Sequence, residues 1–340
     1  MTTHTAWALV LIPGSVALIL GLLLPFAVKP LLHRWNLVDI PTERSSHTTP
    51  VFRGMGLATA LAAALAYIVT LADGQIYTDR SIALLVLLGM LSSGLLGWFE
   101  DYSGVSIKVR FGVQLLIGTV VTVGMTIMLG TGYFWIPLGV FAIAAYINVV
   151  NFMDGVNGIS GLHGLTTGTA YAISGWINGM PWLIAGGAAV AGAYLAFLPW
   201  NVRTGKNVFL GDAGSYFLGG AVACMAVGAF LSGVYLEYIV GPLLVYLADT
   251  GTTLLRRMIK GEQWYKPHRT HVYQRLTDHG FSHLASAGIV TLTTALVTAI
   301  SMISLPFETQ NAIWAALAVI AILVLYLNLP NLLAKAGRRG

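Results

Sequence analysis

Runs of about twenty apolar residues recur along the whole chain, and no other feature restricts its folding so strongly. A bilayer core about 30 Å thick is crossed by roughly that many residues in a helix. Eleven runs meet the description, at 6–28, 55–72, 81–99, 111–129, 133–147, 159–177, 182–198, 213–232, 235–255, 283–305 and 311–329. A water-soluble chain cannot carry them. Charged residues make up 9% of 340, against about 25% in an ordinary globular protein. In lipid the backbone must satisfy its own hydrogen bonds, which a helix does without partners. The fold class expected is all-α, a polytopic membrane protein of about eleven transmembrane helices in a single integral-membrane domain, 1–340. The first run lacks a basic leader and is long enough to span, so it reads as an anchor and not as a signal peptide. Cys224 is the single cysteine, which excludes an intrachain disulfide and a Cys-based metal site. No Walker loop and no internal repeat is present.

Short loops rich in Lys and Arg stay in the cytoplasm. With eleven spans and the N-terminus in the periplasm, 17 of the 18 basic residues fall on one side, and Arg80 stands opposite. One miscounted helix would scramble that segregation downstream. The C-terminus is therefore expected in the cytoplasm, and the protein in a bacterial inner membrane among its lipids. The net charge of +5 follows from this asymmetry and is no nucleic-acid signal. Outer connections at 130–132 and 233–234 are mere turns, whereas inner segments 29–54, 100–110, 148–158, 199–212 and 256–282 are long. Chemistry belongs on the cytoplasmic face.

The acidic residues point to what that chemistry is. Glu100 and Asp101 end the third apolar run, Asp154 follows Asn148 and Asn151, and Asp212 opens the eighth run. Acids at the ends of apolar helices cost free energy unless cations or hydrogen-bond donors compensate them. Carboxylate and carboxamide oxygens suit Mg²⁺, which completes its shell with water and substrate phosphates. Each acid could instead pair with a basic neighbour at the membrane surface. The segment 256–283 interleaves Arg, Lys and His with Trp264, Tyr265 and Tyr273; it suits anionic lipid headgroups or a pyrophosphate equally. Asp249 lies about two turns inside the ninth run, as a functional group or as a buried pair that fixes packing. His163 reads as a hydrogen-bonded packing residue. Glycines at 155, 158, 211 and 214 would let backbone N–H groups approach a phosphate at helix starts.

Taken in order, these strings resemble the signature blocks of the polyprenyl-phosphate N-acetylhexosamine-1-phosphate transferases. The resemblance is carried by Asn148, Asn151, Asp154, Gly155, Asn157 and Gly158; by Phe209, Gly211, Asp212, Gly214 and Ser215; and by Pro267, His268, Arg269, His271, Tyr273 and Gln274. It extends to Asp39, Pro41, Arg44, His47, Pro50 and Arg53, and to Gly97, Glu100, Asp101, Lys108 and Arg110. The last block is most similar to the branch that initiates O-antigen synthesis. The resemblance implies transfer of a sugar 1-phosphate from a UDP-N-acetylhexosamine to undecaprenyl phosphate, with release of UMP and a need for Mg²⁺, or Mn²⁺ in its place. It implies catalytic roles for Glu100, Asp101, Asp154 and Asp212, and metal contacts from Asp212, Asp101 and Asn151. Substrate contacts would come from Arg44, His47, Arg53, Lys108, Arg110, Asn148, Asn151, Asn157, His268, Arg269 and His271. Two positions depart from the family pattern: Glu100 stands where an Asp is usual, and Asn157 where many relatives have a second Asp. An acceptor phosphate whose second pKa is near 6 is largely a dianion at neutral pH, so Glu100 is expected to position groups and not to serve as an obligatory base. A homodimer through glycine-rich helices would fit the composition. A transporter or lipid flippase is the rival class, and would be expected to show repeated halves and polar groups at the bilayer midplane.

Overall fold

The computed structural model describes residues 3–39, 51–74, 76, 79–203, 208–263, 269–303 and 309–337. In chain order the helices are α1 (Thr3–Arg34), α2 (Gly56–Ala72), α3 (Arg80–Ser103), α4 (Ile107–Leu129), α5 (Ile136–Met153), α6 (Ile159–Ile177), α7 (Pro181–Asn201) and α8 (Gly211–Leu231). They continue as α9 (Leu236–Val240), α10 (Leu244–Ile259), α11 (Val272–Asp278), α12 (His283–Ile303) and α13 (Thr309–Gly337). A two-residue antiparallel ladder, β1 (Val38–Asp39) with β2 (Val51–Phe52), pairs Val38 with Phe52 and Asp39 with Val51.

Every predicted apolar run is helical, and the protein is an all-α polytopic membrane protein. Among the described residues, nine helices are long and apolar enough to cross a membrane. The other two runs have physical reasons to differ. At 17 residues α2 is short, about 26 Å at 1.5 Å per residue, and α6 is interrupted by Ser160, His163, Thr166 and Thr167. The ninth run is broken into α9, a 3₁₀ turn at Gly241–Leu243, and α10, because Pro242 has no N–H to donate to the preceding turn. Helices also continue past the apolar residues: α3 carries Glu100 and Asp101, and α5 carries Asn148 and Asn151. The segments between helices are correspondingly shorter than the sequence suggests, and α11 occupies a stretch expected to be loop.

Helix α8 forms the centre. Its apolar stretch is 94% buried, whereas that of α13 is 11% buried and faces outward. The close approach of α3 to α8 needs Gly97, since a Cβ there would lie 2.1 Å from the Asp212 carbonyl oxygen. Neighbouring helices alternate in direction. The C-terminal ends of α3, α5 and α7 meet the N-terminal ends of α4, α8 and α6 through Arg110 with Glu100, Asn151 with Asp212, and Gly158 with Asn201. The start of α2 joins them, with the Gly56 N–H donating to the Leu210 carbonyl. The described parts of the segments expected to share one face therefore meet at one end of the bundle, the last of them through the Tyr273 hydroxyl donating to the Phe152 carbonyl.

Candidate active site

Asp212 sits in the first turn of α8. The Asn151 amide, one helix away, donates to its Oδ1 at 2.6 Å and to the Ser215 hydroxyl at 3.1 Å. This leaves the Asn151 carbonyl oxygen as that side chain's remaining acceptor. Asp101 is 4% exposed and takes the Ala213 backbone N–H on Oδ2 at 2.9 Å. Its Oδ1 accepts no hydrogen bond among the described residues and is faced by the Arg53 Nε at 3.4 Å. Arg53 also donates to the Asp101 carbonyl oxygen at 3.2 Å. One guanidinium thus offsets part of the cost of burying the carboxylate.

Gly211 makes this approach feasible. Its φ of +74° suits glycine, and a Cβ there would lie 2.6 Å from Asp101 Oδ2 and 2.7 Å from the Gly54 nitrogen. Glu100 has a different setting. The Arg110 guanidinium binds its Oε1 at 3.0 Å, and the Val105 N–H donates to Oε2 at 2.8 Å. Both contacts tie the end of α3 to the start of α4.

Asp154 caps the end of α5, and the Ser160 hydroxyl donates to it at 2.6 Å. Burial pushes its carboxyl up to about 7, opposed by the Ser160 hydrogen bond and reinforced by the charge of Asp212. The two carboxylates therefore sense each other across the α5 and α8 ends. In the absence of a cation the raised value favours the protonated fold, so this contribution to stability is lost as pH rises through about 7.

Other expected residues take up different duties. The Asn148 amide donates to Gln114 Oε1 at 2.6 Å and to the Ala144 carbonyl at 2.8 Å, which joins α5 to α4. Lys108 is exposed and Asn157 half-buried; the Asn157 backbone N–H donates to His283 Nδ1 at 3.4 Å. Arg269 pairs with Asp278 at 3.2 Å. Arg44, His47 and His268 lie outside the described residues. One N–H group expected to face a phosphate is used within the fold, Gly158 donating to Asn201, and the neighbouring Ala213 N–H of the Gly211–Gly214 block goes to Asp101.

Asp249 is fully buried and organises the last block. It accepts from His271 Nδ1 and the Val272 N–H at 3.1 Å each, and from the Tyr326 hydroxyl at 2.8 Å. His163 is a packing residue, stacked 3.6 Å from the Tyr246 ring with its Nε2 2.9 Å from the Tyr146 hydroxyl. Among the described residues, no three His, Cys, Asp or Glu side chains stand close enough to cage a metal by themselves. The donor set instead suits a cation that keeps water and phosphate in its shell: two carboxylates, one with a buried oxygen that accepts no hydrogen bond, and a carboxamide oxygen.

Residues 83–230, which include Glu100, Asp101, Asn151, Asp154 and Asp212, match the model of glycosyl transferase family 4. Over 332 residues the chain is 29% identical to a Bacillus subtilis protein named "Probable undecaprenyl-phosphate N-acetylglucosaminyl 1-phosphate transferase", covering 92% of this chain and 90% of that one. Over 345 residues it is 25% identical to the decaprenyl-phosphate N-acetylglucosaminephosphotransferase of Mycolicibacterium smegmatis, covering 88% and 83%. A 168-residue stretch is 32% identical to the phospho-N-acetylmuramoyl-pentapeptide-transferase of Halalkalibacterium halodurans, covering 43% and 51%.

The roles of several side chains escaped the sequence reading. Ser215 and Ser160 hold Asn151 and Asp154, and Tyr326 holds Asp249 from the last helix. Tyr216 is fully buried with a hydroxyl that has no hydrogen-bond partner, within electrostatic reach of Asp212, Arg110, Glu100 and Asp101. Ser215, already part of the Gly211–Ser215 block, and Tyr216 lie three and four residues after Asp212, one helical turn on. Tyr326 lies 77 residues from its partner, in an apolar run with no distinguishing signal.

Proposed function

We propose that the protein transfers N-acetylhexosamine 1-phosphate from a UDP-sugar to undecaprenyl phosphate, giving the lipid diphosphate sugar and UMP. The observation that carries this reading is the convergence of three separated helix ends on one buried acidic cluster. Asp101 from α3 is bound to the start of α8, and Asn151 from α5 is bound to Asp212. A site at the end of an apolar bundle is open to a lipid acceptor from the bilayer and to a nucleotide from water. The N-terminus is then periplasmic, the C-terminus cytoplasmic, and the site at the cytoplasmic side of the inner membrane.

Phosphoryl transfer depends on alignment and on neutralising charge. Asp101, Asp212 and the Asn151 carbonyl oxygen would hold Mg²⁺, or Mn²⁺ in its place; when bound, such an ion neutralises pyrophosphate charge and supports departure of UMP. Arg53 is placed beside Asp101 to balance its charge and to meet a phosphate oxygen. Glu100 fixes Arg110 and the α3–α4 turn, which orients that guanidinium toward an anionic acceptor. His271, held through Nδ1 by Asp249, would contribute to holding the donor diphosphate. The acceptor needs no obligatory base, since its phosphate is already largely ionised.

The test is direct: the purified protein is given UDP-N-acetylglucosamine, undecaprenyl phosphate and Mg²⁺, and UMP and the lipid product are measured. UMP that depends on both the lipid phosphate and the cation is the expected result. Passage of a solute or lipid across vesicles with no UMP released would overturn the reading. A panel of UDP-N-acetylhexosamines in the same assay identifies the sugar.

A further inference from the structure

A cleft of about 560 Å³ lies between the last turns of α1 and the end of α7. Phe26, Lys29, His33, Phe52, Trp200 and Arg203 supply its chemistry. Two kinds of group meet there. Lys29 and Arg203 form a cationic side beside the His33 ring, and neither cation has an acidic partner among the described residues. Phe26, 68% exposed, meets Trp200 edge-on at 5.0 Å and 79° to form an apolar side. The His33 ring rests 5.8 Å from Phe52, which closes the floor.

The position of the cleft matters as much as its composition. It lies where two membrane-length helices end, the depth at which aromatic rings favour the interface and cations reach headgroups. A free phosphate ion would make no use of Phe26 and Trp200. A neutral acyl chain would make no use of Lys29, His33 and Arg203. An anionic glycerophospholipid uses both, with its phosphate against the cations and its first methylenes along the two rings.

We propose that this cleft is a binding site for one anionic glycerophospholipid molecule, separate from the carboxylate cluster. It contains no residue of that cluster, yet it borders it: Phe52 immediately precedes Arg53, whose guanidinium faces Asp101. A lipid seated here would steady the β2 strand from the membrane side.

The experiment uses the full chain in detergent micelles, titrated with short-chain phosphatidylglycerol, phosphatidylcholine of the same chain length, or inorganic phosphate. Binding is followed by the rise in thermal unfolding temperature. Phosphatidylglycerol is expected to bind at least tenfold more tightly than either of the others. The double variant Lys29→Gln with Arg203→Gln should lose roughly tenfold or more of that affinity, each cation near a headgroup contributing a several-fold factor. The charge-keeping pair Lys29→Arg with Arg203→Lys should retain it. Equal binding of phosphatidylcholine, equal binding of inorganic phosphate, or an unchanged phosphatidylglycerol affinity in the Gln pair would each overturn the proposal. Should the Gln pair fail to fold, brominated phosphatidylglycerol added to the unaltered protein decides. It should quench a component of tryptophan fluorescence that Trp200→Phe removes, and quenching unchanged by that substitution would refute the site. None of these readouts requires transferase activity, so the outcome is independent of the proposed reaction.

Discussion

Asp212 and Glu100 look alike in a sequence and differ in what surrounds them. Asp212 shares its Oδ1 with Asn151 in the carboxylate cluster, whereas Glu100 spends both oxygens on Arg110 and the Val105 N–H. Asp212→Asn should therefore leave almost no UMP release. Glu100→Gln should lower it only several-fold, because a carboxamide oxygen can still receive the Val105 N–H; equal loss in two folded variants would contradict the assignment. Gly211 gives a second prediction. Alanine there meets Asp101 Oδ2 at 2.6 Å with φ near +74°, a strained backbone costing on the order of 1–3 kcal/mol, before any shift of Asp101. Thermal unfolding should fall and activity should fall further, which a comparison of the two losses would reveal. At this scale the acids were legible because charge in an apolar chain is conspicuous. Their partners were not: Ser160, Ser215 and Gln114 are ordinary polar residues of membrane helices, and only the packing gives them a role.

Helices were legible almost throughout, since a span in lipid has to be apolar and long. What the pattern could not convey was where polar helix ends stop, because hydrophobicity vanishes at Phe99 while α3 continues to Ser103. The short α11 was missed for a related reason. Its start is defined by tertiary contacts, with Asp249 accepting the Val272 N–H and Gln274 Oε1 accepting the His271 N–H. The tie to Tyr326 makes α10, α11 and α13 one unit. Tyr326→Phe removes a single hydrogen bond to a buried carboxylate and should cost about 1–3 kcal/mol. Asp249→Ala leaves His271 and Tyr326 without their acceptor and should cost about 3–5 kcal/mol. Denaturation of the two variants in one detergent checks the order, and a larger loss for Tyr326→Phe would contradict the account of Asp249 as the shared acceptor.

For the whole molecule, the alternation of helix directions was inferred from charge counting, and the contacts reproduce it within the bundle. Sidedness is a separate prediction. In a background with Cys224→Ala, a cysteine replacing Arg80 should react with a membrane-impermeant maleimide on intact cells. One replacing Lys335 should react only after permeabilisation, and the reverse pattern would invert the topology. The site itself was legible as a set of blocks, but not as a shape. Nothing in the chain indicates that Arg53, just after a two-residue strand, reaches the end of α3.

The Tyr326 hydroxyl that α13 sends into the interior has a genetic corollary. A reading frame stopped before that helix would still encode most of the apolar centre and should enter the bilayer as a recognisable bundle. It would nonetheless lack the hydrogen bond that Tyr326 donates to Asp249 and the packing of α13 on α10 and α11, so such an allele should yield protein that is made, inserted and inert.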